Sequence, residues 1–153
     1  MKHDSRLSGV LHVLLHMAEN DGPTTSDTLA QAMQTNPVVV RRLMSGLRAA
    51  GFVDSAKGHG GGWVLTCPLA QVTLADIHEA LGGPGFFAMG NRDDNPSCLV
   101  EQSVNAALST AFLEAEVVLR ARLEAVTLAE LSADFHRRMV VGRHSRKALT
   151  HEI

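Results

Sequence analysis

The chain has 153 residues, 45% of them hydrophobic and 20% charged, with a formal net charge of −2 at pH 7. This length suits one domain, or a small domain with an appendage, and the composition is that of an ordinary globular protein. No segment approaches the roughly 20 apolar residues that span a bilayer, and the first residues do not form a signal peptide. We therefore expect a cytoplasmic protein without a membrane partner. The net charge does not by itself indicate a nucleic-acid binder, so the positions of the charged residues matter more than their sum.

The first third of the chain predicts a helix-turn-helix unit. Residues 5–19 place apolar side chains at helical spacing, which predicts an amphipathic helix. Thr25 or Ser26 then caps a short second helix, and a tight turn at residues 34–36 follows. Two short helices joined by a turn of that length are typical of this motif.

A third helix is predicted between Asn36, a good N-cap, and Gly51, a residue type that often ends helices. Its apolar stripe should pack on the first two helices, so the opposite face is exposed. This exposed face could contact DNA, because its side chains near the helix N-terminus lie where base edges and phosphates would be. The alternative is a face that contacts only solvent. The side chains on or beside it are Val38, Arg41, Arg42, Ser45 and Arg48.

Two short apolar runs around the glycine cluster at residues 58–62 predict a β-hairpin. Glycines permit positive φ at the tip and let the backbone lie close to another surface. No GK[ST] sequence follows, which argues against a nucleotide-binding loop. Lys57, His59 and Gly60 would lie where the wing of a winged helix meets phosphates or the minor groove, and Trp63 is expected to pack on the domain.

Thr73 to Asp76 resembles a capping box that opens a helix ending near Gly82. The following residues, 84–97, show no periodicity but contain three large apolar side chains, which need burial. They form either a satellite of the core or a small-ligand pocket, so we call residues 84–97 the effector loop. The three side chains are Phe86, Phe87 and Met89.

A long helix is predicted from Cys98 to Ala125, capped by Ser97 or Asn95, because apolar residues recur three and four apart. A helix of about 40 Å, at 1.5 Å per residue, is too long to be covered by so small a domain. We expect it to bury its stripe against an antiparallel copy of itself and the first helix, which predicts a homodimer.

A second capping box at residues 127–130 opens a short final helix, and a basic tail follows, for which disorder is the usual state. The fold class is therefore mostly α with a small β-hairpin wing. The predicted division is a winged helix-turn-helix domain (1–83), the effector loop (84–97), a dimerisation helix with a short C-terminal helix (98–136) and the tail (137–153).

Several stretches in this order match a known pattern: Leu29-Ala30, residues 47–51, Gly58 to Leu65, Val72 to Ile77 and Val126 to Leu131. With them the chain resembles the Rrf (Rrf-two) family of bacterial winged-helix regulators, although Trp63 stands where a tyrosine is more usual. The resemblance implies a homodimeric transcription repressor that reads a palindromic operator and responds to a signal.

Family members that hold a [2Fe–2S] cluster use three closely spaced cysteines before and at the start of the long helix. Here only Cys98 lies in that neighbourhood, and Cys67 lies outside it, so the resemblance places the chain nearer the branch without a cluster. We predict no cofactor and no metal ligands. His12 and His16, four apart on the first helix, keep open an alternative: a metal- or iron–sulfur-dependent redox sensor with non-cysteine ligands.

The signal itself has three candidate explanations. Cys98 would lie in the first turn of a helix, where the dipole lowers a thiol pKa, so it is a candidate redox switch. The alternative, which is equally supported, is that Cys98 is a small apolar residue without a function. The third explanation is a small-molecule effector held near the effector loop and the long helix.

The predicted function is that of a sequence-specific DNA-binding regulator on double-stranded DNA. An enzyme is not expected, because the sequence lacks a CxxC pair, a nucleophile elbow and paired carboxylates beside a histidine. A protein-interaction module without DNA binding is the remaining class. The residues expected to contact DNA are Thr25, Ser26, Asn36, Val38, Arg41, Arg42, Ser45, Arg48, Lys57, His59 and Gly60.

Overall fold

The computed structural model describes residues 4–87 and 89–149, with side chains described as far as Gly142. The chain is mostly helical with one small antiparallel sheet, as predicted. The elements are α1 (Arg6–Ala18), α2 (Ser26–Met33), α3 (Pro37–Ala49), β1 (Val53–Ala56), β2 (Gly62–Leu65), a 3₁₀ turn (Leu69–Gln71), α4 (Leu74–Ala80), α5 (Leu99–Glu124) and α6 (Leu128–Leu149).

The core lies where α1, α2 and α3 meet, and it confirms the apolar stripes expected of these helices. Residues from later elements complete it, so the wing, α4 and α6 pack around the same centre. Each large aliphatic side chain removed from water here stabilises the fold by about 1.5–3 kcal/mol. The buried side chains include Val10, Val13, Leu14, Leu29, Val40, Leu43, Met44, Leu47, Val53, Ile77 and Leu128.

The helix-turn-helix is defined by its caps. Thr25 is the N-cap of α2, since its Oγ1 accepts a hydrogen bond of 3.2 Å from the Thr28 amide. Gln34 ends that helix in the left-handed region, with φ of 53°, and turns the chain toward α3. Asn36 is the N-cap of α3, and Gly51, with φ of 82°, follows its end, as the sequence predicts.

The two strands pair antiparallel in the register Val53 with Leu65 and Ala56 with Gly62. The predicted positive φ at the hairpin tip is present at Gly58 (97°) and Gly60 (79°). Beyond the hairpin, β2 is joined to the segment before α2, because Thr24 and Trp63 exchange backbone hydrogen bonds of 2.9 and 2.8 Å. The wing is therefore attached to the helix-turn-helix along its second strand.

Both predicted capping boxes are present, and they are joined to each other. The Thr73 amide donates to Asp76 at 2.8 Å, and the Thr127 amide donates to Glu130 at 2.7 Å. The two threonines form an antiparallel bridge, which brings the starts of α4 and α6 together. We call this pairing the threonine bridge; it returns the chain to the winged domain after α5.

Helix α5 begins and ends within one residue of the predicted limits, but its cap was predicted wrongly. The N-cap is Cys98 rather than Ser97 or Asn95, and no side chain caps the helix. No residue of α5 is buried, although Phe112 and Leu119 are half-buried toward the rest of the chain. None of the helices in the described ranges is both long enough and apolar enough to cross a membrane.

The last helix, α6, continues to Leu149, so the described part of the predicted tail is helical and not disordered. Asp134 pairs with Arg137 at 3.1 Å and with Arg138 at 2.6 Å, three and four residues ahead, and such pairs support a helix. Residues 150–153 of the predicted tail lie outside the described residues.

Candidate nucleic-acid interface

The exposed face of α3 is the face predicted from the sequence. Val38, Arg41, Arg42 and Ser45 are all exposed, whereas the opposite face is buried in the core. Among the side chains that the structure describes, neither Arg41 nor Arg42 forms an ion pair. Their guanidinium groups therefore remain free to donate hydrogen bonds to guanine O6 and N7 or to phosphate oxygens.

Arg48 has a different environment from the other two arginines. Its Nε lies 3.1 Å from Asp54 Oδ1 on β1, and both side chains are about half exposed. A pair this accessible contributes about 1 kcal/mol or less to stability. It nevertheless joins the end of α3 to the wing and compensates part of the Arg48 charge.

Ser26 and Trp63 hold the wing against the start of α2. The Trp63 Nε1–H donates to Ser26 Oγ at 3.0 Å, beside the backbone pairing with Thr24. A Cβ atom on Gly62 would lie 2.6 Å from the Thr24 carbonyl oxygen, so the approach requires glycine at this position. The sequence indicates that Trp63 packs on the domain but does not indicate this attachment, because Ser26 lies 37 residues earlier.

The remaining predicted wing residues lie together at the hairpin tip. Lys57, His59 and Gly60 are all exposed, beyond the ends of the two strands. Thr25 and Asn36 lie at the starts of α2 and α3, where their side-chain oxygens are used as caps. Within the described part of the chain, the Asn36 side-chain nitrogen has no hydrogen-bond partner, whereas its oxygen accepts two bonds.

The effector loop lies along the first half of α5. Arg92 donates to both carboxylate oxygens of Glu101 at 3.0 and 3.2 Å. The Asn105 side-chain amide donates to the Asp93 carbonyl at 2.6 Å. These contacts tie the polar half of the loop to the helix that follows it.

The three large apolar side chains of the loop have unequal environments. Phe86 stacks on His78 of α4 with ring centroids 4.2 Å apart, and Phe87 stacks on Phe112 of α5 at 6.0 Å. Met89 is 68% exposed and Phe87 is 37% exposed, so the expectation that all three are buried is wrong for these two. Two aromatic rings suffice to fix this part of the loop between α4 and α5.

Helix α4 connects the loop to α3. The buried His78 donates from Nε2 to the Pro84 carbonyl at 2.8 Å. On the side toward α3, a Cβ on Gly46 would lie 2.6 Å from the Ala80 carbonyl oxygen, so the two helices touch through backbone. Glu79 pairs with Arg120 of α5, which lowers the pKa of Glu79. Helix α4 therefore contacts both α3 and α5.

The two cysteines are free thiols in different surroundings. The amide groups of Glu101 and Val100, at the start of α5, lower the pKa of the exposed Cys98 thiol, although the sulfur makes no capping hydrogen bond of ordinary geometry. Burial raises the pKa of the Cys67 thiol, which packs at the edge of the core. At neutral pH the thiolate fraction is therefore larger at Cys98.

The candidate metal ligands of the first helix lie close together but are few. The Nε2 atoms of His12 and His16 are 2.9 Å apart, within hydrogen-bonding distance of each other. Among the side chains that the structure describes, no group of three or more histidine, cysteine, aspartate or glutamate residues could hold a metal ion.

Curated sequences of two Bacillus subtilis proteins are similar to this chain. The HTH-type protein YwnA is 28% identical over 128 residues, which cover 84% of this chain and 95% of YwnA. The HTH-type transcriptional regulator CymR is 34% identical over 111 residues, which cover 68% of this chain and 80% of CymR.

Solved structures show the same architecture. A Lactobacillus plantarum protein superposes with a TM-score of 0.71 at 26% identity, over 94% of this chain and 98% of that one. CymR, the global cysteine regulator of B. subtilis, superposes with a TM-score of 0.61 at 25% identity, over 87% of this chain and 97% of CymR.

At the level of families, residues 3–134 match Rrf2, described as an iron-dependent transcriptional regulator. The donor set described above does not fit an iron–sulfur cluster held by one chain, because such a cluster takes about four ligands. Cys98 is exposed at the start of α5, and Cys67 is a core-edge residue after β2.

Proposed function

Since the chain belongs to the Rrf2 family, we propose that this transcription regulator is a repressor that binds a palindromic operator as a homodimer. It is not an enzyme: its relatives are transcriptional regulators. The observation that carries the proposal is the exposed face of α3, where Arg41 and Arg42 have no ion-pair partner among the described side chains. Two such arginines suit a helix that enters the major groove.

A second copy of the chain is the partner that best explains α5. The helix is 26 residues long, about 39 Å, and it leaves a continuous apolar stripe exposed along one face. A symmetric dimer would bury the same stripe on both copies, which removes it from water. We call this face the dimer stripe: Val100, Val104, Leu108, Ala111, Ala115 and Val118.

Symmetry then sets the form of the operator. Two copies of α3 related by a twofold axis read an inverted repeat, with half-site centres about one helical turn, or a multiple of it, apart. The wing residues Lys57 and His59 would add contacts to phosphate or the minor groove beside each half-site.

The test is selection of duplexes from a random pool by the full chain at about 100 mM salt, since phosphate contacts weaken as salt rises. We expect enrichment of a single inverted repeat that the protein then binds in isolation. Enrichment of a sequence without twofold symmetry would contradict the dimer on a palindrome. No enrichment, even at low salt, would favour a protein-interaction module.

We further propose that Cys98 modulates operator binding, through oxidation of its thiol. Support comes from its position at the start of α5, directly after the effector loop, and from its lowered thiol pKa. Oxidation would change the charge and size of a side chain at the junction between loop and dimer helix. A small ligand held by Phe86, Phe87 and Met89 is the alternative input at the same junction.

The two thiols give a matched comparison. Because Cys98 is exposed and its thiol pKa is lowered, whereas burial raises the pKa of the Cys67 thiol, iodoacetamide at pH 7.5 should alkylate Cys98 faster than Cys67. Mass spectrometry of timed samples measures both rates. A mild oxidant should change the operator affinity of the wild type and of Cys67→Ser but not of Cys98→Ser. Equal responses in all three proteins would eliminate the switch.

A further inference from the structure

The start of α3 carries a largely exposed apolar side chain, whereas the other large apolar side chains of that helix are less exposed or buried. Val38 is 69% exposed, whereas Val40, two residues later, is fully buried in the core. A β-branched residue on an exposed helix surface gains nothing in helix propensity and buries little within its own chain. Its side chain is therefore available for a contact outside the chain.

The backbone amides in the first turn of α3 are already paired and are not available to bind a phosphate. Pro37 has no amide hydrogen, and the amides of Val38 and Val39 both donate to Asn36 Oδ1 at 3.0 Å. The next amide, that of Val40, donates to the Asn36 carbonyl at 3.2 Å. Helix N-termini bind anions through unpaired amides, and the amides of this first turn are already paired. The tip is thus an apolar surface rather than an anion site.

Hydrogen-bond donors lie directly beside this apolar tip. Arg41 and Arg42 follow Val38 by three and four residues, so the three side chains share one side of the helix. In the major groove the thymine C5-methyl is the apolar group of the base edges, and arginine is the commonest partner of guanine O6 and N7. A valine next to two arginines matches a thymine beside guanine or phosphate groups.

We infer that Val38 is a specificity-determining residue that contacts a thymine methyl group in each half-site of the operator. The inference rests on the proposed function, because it requires α3 to lie in the major groove. The contact costs little conformational entropy, because valine in a helix occupies mainly one χ1 rotamer and the backbone is held by the Asn36 cap. Burying one methyl group corresponds to about a fourfold gain in affinity per half-site.

The experiment uses the inverted repeat enriched by the wild-type protein, with each thymine replaced in turn by deoxyuridine. This change deletes the C5-methyl and keeps the O4 acceptor and the base pair. At one thymine position, present in both half-sites, each replacement should lower the binding affinity about fourfold, and replacement of both copies should lower it about 15-fold.

Two variants assign that effect to one side chain. Val38→Ala should bind the thymine and deoxyuridine duplexes equally well. Val39→Ala removes the same atoms from the next residue, which is only 37% exposed. This variant should keep the full difference in affinity between the thymine and deoxyuridine duplexes. Unchanged thermal unfolding of Val38→Ala would show that the variant is folded.

The outcomes separate the inference from the function on which it rests. If no duplex is enriched, the proposed function fails and the inference fails with it. If a duplex is enriched and no deoxyuridine replacement weakens wild-type binding, the inference alone is overturned. A sensitive thymine that stays equally sensitive in Val38→Ala also overturns it, because another group would then contact that methyl.

Discussion

Replacing Arg42 by alanine is expected to weaken operator binding by about 30-fold or more, and Arg41→Ala should have an effect of similar size. A good bidentate contact to a base contributes about 1–3 kcal/mol, and a symmetric dimer loses it in both half-sites. Since neither guanidinium forms an ion pair within the described side chains, the loss should fall on DNA binding and not on stability. Fluorescence anisotropy at constant ionic strength measures the affinity.

A matched control removes the same charge from another surface. Arg137→Ala on α6 deletes an exposed arginine whose partner is Asp134, and it should change operator affinity less than about twofold. The salt dependence separates base from phosphate contacts, because loss of a phosphate contact lowers the slope of log K against log salt by about one. Wild-type affinity in both Arg41→Ala and Arg42→Ala would refute the role of α3.

Val104→Asp is expected to convert the proposed dimer into monomers, with a rise in the dissociation constant of about 1,000-fold or more. Val104 is 50% exposed in the dimer stripe, so the substitution would bury two carboxylates without partners at the interface. Light scattering at about 10 μM protein should report half the wild-type mass. Operator affinity should fall as well, because each monomer binds a single half-site.

The same substitution on another face of the helix provides the control. Val117 is 68% exposed but lies about 140° around α5 from Val104, outside the dimer stripe. Val117→Asp should therefore keep the wild-type mass and operator affinity. If Val104→Asp stays dimeric with an unchanged helical circular dichroism spectrum, the dimer stripe is not the interface.

The local features of the fold could be predicted because each depends on residues that lie within a few positions of each other in the sequence. Asn36 followed by Pro37 predicts a helix start, and three-residue spacings predict the capping boxes at Thr73 and Thr127. The apolar stripe of α3 also determines its exposed face, since the two are opposite sides of one helix. The DNA-facing residues of α3 could thus be proposed before their neighbours were known.

The features that were missed depend on contacts distant in sequence or on competing local signals. Ser97 has the side chain of a good cap, but the chain enters α5 one residue later, at Cys98. The basic residues from Arg137 onward predict a tail, but Asp134 pairs with Arg137 and Arg138 at helical spacing. Partners such as Arg48 and Asp54 meet only because the wing folds back on α3.

The threonine bridge has a consequence for how the chain folds as it is synthesised. Thr73 and Thr127 are 54 residues apart in sequence, and closing a flexible loop of that length costs about 3.5 kcal/mol of entropy. Leu128, next to the bridge, is fully buried in the core of the winged domain. A ribosome-bound chain that ends before Val126 therefore lacks part of that core. The core of the winged domain becomes complete only after Leu128 has been synthesised.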